Sequence, residues 1–317
     1  MPVLTHFDPD DMRFECQVAC SDLTSKTELA RTLDDYGTAL GLIGARIGEK
    51  GTYNFAIRLS GKTPLLARLT SKAPRGAALD SVRHIAEAKG NAGDDESWTY
   101  LCPEFWLSAC QHPELRPKIE GLIDRIESLL GEANERLPNA TASLWEHEET
   151  QFGEPVVTLL ALHDRSFIPA YVRLLTQWDM DHEVYQAECI DLIVRTHGIC
   201  AETEDLLHCR AAVNPGQGGH DQIENLFPFL QEAYGDVTQS ALFERIVTTV
   251  HGQDLAERRK AFEDYRSRKA ANPAARPPGL PERSLFKYSN HPELTHGAER
   301  LFAKLDTLHP PPDFASA

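Results

Sequence analysis

One stretch limits the fold more than any other. Residues 181–197 carry Val184, Tyr185, Cys189, Ile190, Leu192, Ile193 and Val194 at helical spacing, so apolar side chains nearly encircle the helix. A helix apolar on most sides keeps no face for water and must be sandwiched between neighbours. Asp181 suits its N-cap, and Glu183 in the first turn is favoured by the helix dipole. The preceding segment supplies one neighbour. There Phe167, Ile168, Tyr171, Leu174, Leu175 and Trp178 fall on a single stripe, with Pro169 tolerated in the first turn. Helices that are stable only in layers predict a mostly α chain, an α-solenoid or compact helical array.

Two internal similarities point the same way. His112-Pro113-Glu114-Leu115 and His291-Pro292-Glu293-Leu294 both lead into helical patterns that continue in step, with Glu120, Leu122, Ile123 and Arg125 matching Glu299, Leu301, Phe302 and Lys304. Proline belongs near a first helical turn, where its missing N–H has no partner to lose. The second similarity pairs 193–198 with 247–252, each expected to end a helix on a glycine, Gly198 and Gly252, in a left-handed cap. It makes 226–252 an echo of 152–198.

The N-terminal third departs from this pattern. Residues 11–47 read as helical, with Leu29, Leu33, Tyr36, Leu40 and Ile43 on one face. Tyr53, Phe55, Ile57 and Leu59 then alternate with polar or small residues. That period of two predicts a strand over 52–60, turning through Ser60-Gly61-Lys62 into a second strand at 65–69, a small β-hairpin packed on the helices. Residues 89–97 read as a linker or long loop, 271–284 as an irregular Pro-rich segment, and 296–305 as a last helix before a loosely held tail. The expected division is therefore 1–93 (helices with the hairpin), 94–270 (helical repeats) and 271–317 (Pro-rich segment and C-terminal helix).

Charge narrows the function. The chain has 317 residues and a formal net charge of −16. The acid is uneven. Residues 94–154 hold 14 acidic and 4 basic side chains, and 178–209 hold 8 and 1, whereas 254–287 reverse the sign with 5 and 9. Such a balance argues against direct nucleic-acid binding, which needs clustered Lys and Arg, and favours encounter with a basic protein. No apolar run is long enough to span a bilayer, and the acidic N-terminus does not read as a signal peptide, so a cytoplasmic protein is expected. Seven cysteines, an odd number without a CxxC pair, read as reduced thiols (Cys16, Cys20, Cys102, Cys110, Cys189, Cys200, Cys209).

Each catalytic motif in the sequence also has a plainer reading. Residues 56–63, AIRLSGKT, satisfy a permissive P-loop pattern, but the loop is bulky and Pro64 follows at once; the plain reading is a hairpin turn. His163-Asp164 matches the paired ligands of metal-dependent phosphohydrolases, and equally a helix end that starts a turn. His197, Cys200, His208 and Cys209 fit no standard zinc spacing. No enzyme, cofactor or metal is expected on these grounds. What remains is an acidic surface. Trp178, Asp179, Asp181, His182 and Glu183 form a knuckle between two helices, and Glu202, Glu204 and Asp205 cluster at the start of another. Trp178 offers the kind of aromatic anchor that dominates binding energy, although its helical spacing also places it in the core stripe.

The block over 159–198 resembles the HEAT-like segments of bacterial immunity proteins, antidotes to secreted toxins, and in particular the TsiT-type immunity proteins of type VI secretion. The resemblance extends over about 152–252. It implies a non-enzymatic protein that binds a cognate toxin, for this group a nuclease effector, and covers its active surface. The alternatives are a metal-dependent phosphohydrolase or P-loop nucleotide-binding enzyme, and a general helical scaffold or adaptor.

Overall fold

The computed structural model describes residues 3–10, 13–20, 22–49, 54–61, 103–136, 154–176, 183–213, 221–279, 285–287 and 289–316. The chain divides into two compact units, Met1–Thr203 and Glu204–Ala317.

The first unit begins with a sheet. Strand β1 (Leu4–Asp8) pairs antiparallel with β2 (Arg13–Cys20), and β2 pairs in parallel with β3 (Asn54–Gly61), in the order β1-β2-β3. Helix α1 (Lys26–Arg46) connects the parallel pair and packs on it, as a parallel connection requires. The mostly α chain with a small hairpin is thus present, but its parts differ from expectation in two ways. Residues 13–20 are strand rather than helix, because Phe14, Cys16, Val18 and Cys20 alternate and all four are buried. The hairpin is β1–β2, and β3 finds its partner across α1; residues 65–69 lie outside the described residues.

Among the described residues of the first unit the helices are α1, α2 (Pro103–Cys110), α3 (Arg116–Arg136), α4 (Glu154–His163), α5 (Ile168–Leu175) and α6 (Glu183–His197), with the first residues of a further helix at its end. Helices α1, α3 and α5 run side by side in the same direction. Along α1 and α3, Lys26 meets Glu114, Asp34 meets Lys118, and Gly44 approaches Leu129. Between α3 and α5, Arg116 bonds Asp164 and Ser166 at one end while Glu127 bonds Arg173 further along. In a second layer α4 contacts both α2 and α6. Parallel neighbours with return helices between them are the geometry of stacked helix pairs. The core between the layers holds Trp106 edge-on to Tyr36, with ring centroids 5.1 Å apart, and Val157, Leu160, Tyr171, Ile190 and Ile193 fully buried. An aromatic pair of this kind contributes about 1 kcal/mol beyond its buried area.

The second unit repeats the arrangement. After α7 (Ala201–His208), which carries the division between the units, come a π-helical turn (Cys209–Val213), α8 (Asp221–Asn225), α9 (Phe227–Tyr234), α10 (Ala241–Ala271) and α11 (Pro292–Leu308). Asp205 meets Arg245, His208 meets Thr249, and Ala212 meets Gln253, so α7 and its π-turn run parallel to α10. Gly297 against Phe243 and Asp306 against His251 set α11 parallel to α10 in turn.

The turns that start these side-by-side helices are built alike. Before α1, Asp22 Oδ1 accepts from the Thr24 backbone N–H at 2.9 Å and its hydroxyl at 2.8 Å. Before α5, Asp164 does the same with Ser166 at 2.9 and 2.6 Å, and before α10, Asp236 with Thr238 at 2.9 and 2.8 Å. An Asp-x-Ser/Thr turn of this form fixes the entry angle by satisfying backbone donors locally. The two His-Pro-Glu-Leu entries also match. His112 and His291 are both extended, at φ −109° and −111°, and each accepts from the leucine three residues on.

Two further expectations change. Gly198 does close α6 in a left-handed conformation (φ 72°), but Gly252 lies inside the continuous α10, so the proposed second cap does not exist. The C-terminal tail is docked: Phe314 packs on Phe262 and Tyr265 of α10, with centroids 5.3 and 5.9 Å apart. Residues 272–279 are irregular, as the prolines require, while 89–97 lie outside the described residues.

Candidate partner-binding site

The expected binding residues fall into three groups. Trp178, Asp179, Asp181 and His182 lie outside the described residues, and Glu183 is the first residue of α6. Glu202 belongs to the first unit, Glu204 and Asp205 to the second.

Glu202 sits in the first turn of α7. Its own backbone N–H and the Cys200 thiol hydrogen-bond its carboxyl and hold it below the ordinary carboxylate range, with Arg165 and His197 adding to the effect. The helix start itself is closed by Thr203, whose hydroxyl oxygen accepts from the Cys200 N–H at 2.9 Å and donates to the Gly198 carbonyl at 2.8 Å. This is one half of a capping box, the third helical residue reaching back to the N-cap N–H, with threonine in the usual glutamate place. His197 donates from Nε2 to the Ala161 carbonyl at 2.7 Å and so ties the end of α6 to α4.

In the second unit the two carboxylates are engaged by the helices beside them. Glu204 accepts the hydroxyl of Tyr234, and partial burial together with that carboxylate pushes the half-buried phenol above its ordinary pKa. Asp205 pairs with Arg245 at 2.8 Å, and the same guanidinium donates to the Glu204 carbonyl at 2.9 Å. The Asp205 side chain nevertheless keeps 62% of its exposure. Acid on this turn is therefore presented on a braced backbone, with Arg245 partly offsetting it. Tyr234 and Arg245 were not among the expected residues, because their contact with α7 depends on helix pairing that local spacing does not encode.

The residues of the enzymatic alternatives have structural positions. Asp164 uses one carboxylate oxygen to build the Asp-x-Ser turn and the other to pair with Arg116 at 3.0 Å. Burial alone would raise its pKa, but the bonds from Ser166 and Arg116 outweigh burial and leave it lowered. Burial lowers the pKa of neighbouring His163, which favours a neutral ring. Among the described residues no group of three or more His, Cys, Asp or Glu side chains is placed to hold a metal ion. Residues 56–61 of the P-loop-like segment are rungs of β3, paired from Ala56↔Glu15 to Gly61↔Cys20; Lys62 and Thr63 lie outside the described residues. A strand's N–H groups alternate in direction and do not converge on a phosphate.

No helix among the described residues is long and apolar enough to cross a membrane. Compared with protein-family models, curated proteins and solved structures, the chain matches none.

Proposed function

We propose that this chain is an immunity protein that binds a basic, nuclease-like toxin and covers its active surface. The observation that carries this reading is the unbalanced acid of residues 178–209, eight acidic side chains against one basic, in a chain of net charge −16. A nuclease presents a positive groove to its substrate, and an acidic partner can occupy that groove with the same charge pattern. Stacked helix pairs support the reading, since they offer an extended surface on which a large partner can rest. The capped start of α7 supports it too, because acceptors held in place lose little conformational freedom on binding. The resemblance of 152–252 to HEAT-like immunity proteins agrees in function class.

Co-expression tests it. The chain is produced in a bacterial host together with each nuclease-toxin gene encoded beside its own gene, and survivors are counted. Rescue from one toxin, with a complex recovered by pull-down whose affinity falls as salt rises, is the expected result. Failure to rescue from or bind any of them rejects the reading.

A further inference from the structure

We propose that β1 is a dimerisation edge, pairing antiparallel with β1 of a second copy of this chain to join two three-stranded sheets into one of six. Among the described residues β1 pairs only with β2, and no other described strand runs along its second edge. Leu4 to Phe7 are all exposed, Leu4 at 63% and Phe7 at 37%. A strand edge in the open is a template for another strand unless proline, lysine, a bulge or a covering element blocks it. The sequence Leu4-Thr5-His6-Phe7-Asp8 contains neither proline nor lysine, and its register with β2 runs without a bulge from Leu4↔Gln17 to Asp8↔Arg13.

The register also says what fits. Phe7 lies opposite Phe14 and Thr5 opposite Cys16, both buried residues on the face that meets α1. That face continues past the buried strand to Phe7, which remains uncovered. Two copies of β1 related by a two-fold axis at His6 pair all five residues and place Phe7 opposite the partner's Thr5. The core-side row then reads Phe14, Phe7, Thr5, Cys16 across the junction, and its symmetry mate reads the same in reverse. Aromatic and β-branched residues opposite one another are favourable cross-strand pairs. On the opposite face the two His6 residues meet, each beside the Glu15 of its own copy, which is buried and paired with Arg13, and Asp8 of each lies diagonally across from the other's His6. No other occupant is specified so fully by the residues of the strand itself.

A five-residue strand pair falls short of the roughly 1,600 Å² that a stable interface buries, so the dimer should be reversible. Light scattering of the full chain over a concentration series should show the mass rising from 35.4 kDa toward twice that value. Thr5→Lys with Phe7→Arg places charge on both core-side pairs and should hold the mass at one chain, with an unchanged circular-dichroism melt. Amide exchange of residues 4–8 should slow as wild-type concentration rises, and should not in the double variant. A wild-type chain that stays at single mass throughout overturns the proposal. So does a dimer that survives the double substitution, or one that leaves exchange at 4–8 unaltered.

Discussion

Asp164, Asp236 and the buried thiols show how single side chains set local order. Asp236 Oδ1 accepts two bonds from Thr238, so Asp236→Ala should cost about 1 kcal/mol in urea unfolding, whereas Asp236→Asn, which keeps the acceptor, should cost only a fraction of that. Asp164 adds a pH signature. Its folded pKa is depressed, so its stabilising contribution is fully present above the unfolded value of about 4 and is lost as pH falls through the lower folded value. The stability gap between wild type and Asp164→Asn should accordingly be full at neutral pH and close in acid; a constant gap would show that charge contributes nothing there. The thiols behave oppositely. Burial pushes Cys16 and Cys209 up to about 11 and Cys110 to about 12. At pH 8 these three should resist a thiol reagent until the protein unfolds.

At the scale of elements, close approach and docking decide. Gly297 on α11 sits where an added Cβ would lie 2.9 Å from Thr238 and 3.2 Å from Phe243. Gly297→Ala should therefore force the helices apart and destabilise by about 1–3 kcal/mol, although alanine is the better helix former. Phe314→Ala should lower the melting temperature by removing the ring that packs on α10; an unchanged melt would mean the tail contributes no stability. Much of this level was legible in the sequence. The stripe of Phe167, Ile168, Tyr171, Leu174 and Leu175 is buried as its spacing requires, and so is the Leu29–Ile43 face of α1. Pairing was not legible. The strand at 13–20 was hidden because its alternation includes the small Ala19 and Cys20 and leads straight into a helix. The partner of β3 was hidden because it is reached through twenty-one residues of α1 rather than through a turn. The Asp-x-Ser/Thr entries were present in the sequence at 22–24, 164–166 and 236–238, but the motif is too short to be noticed before its bonds are seen. Gly252 shows the reverse error: a helix with enough buried residues on either side carries a glycine through.

For the whole molecule, the proposed function rests on layered helices, a net charge of −16 and the uneven placement of acid. Of the expected contact residues, Glu204 and Asp205 are braced by Tyr234 and Arg245, so their own charge is the less available part of that surface. The reading therefore rests most on Asp179, Asp181, Glu183 and Glu202. One measurement bears on it directly: the affinity of the purified full chain for a nuclease toxin that it rescues in co-expression, by calorimetry at two salt concentrations, for wild type and for the fourfold variant Asp179→Lys, Asp181→Lys, Glu183→Lys and Glu202→Lys. The account predicts tight, salt-sensitive binding by the wild type and a loss of at least about 100-fold in the variant, some 2.7 kcal/mol. Equal affinity of the two, with the same salt dependence, would contradict it.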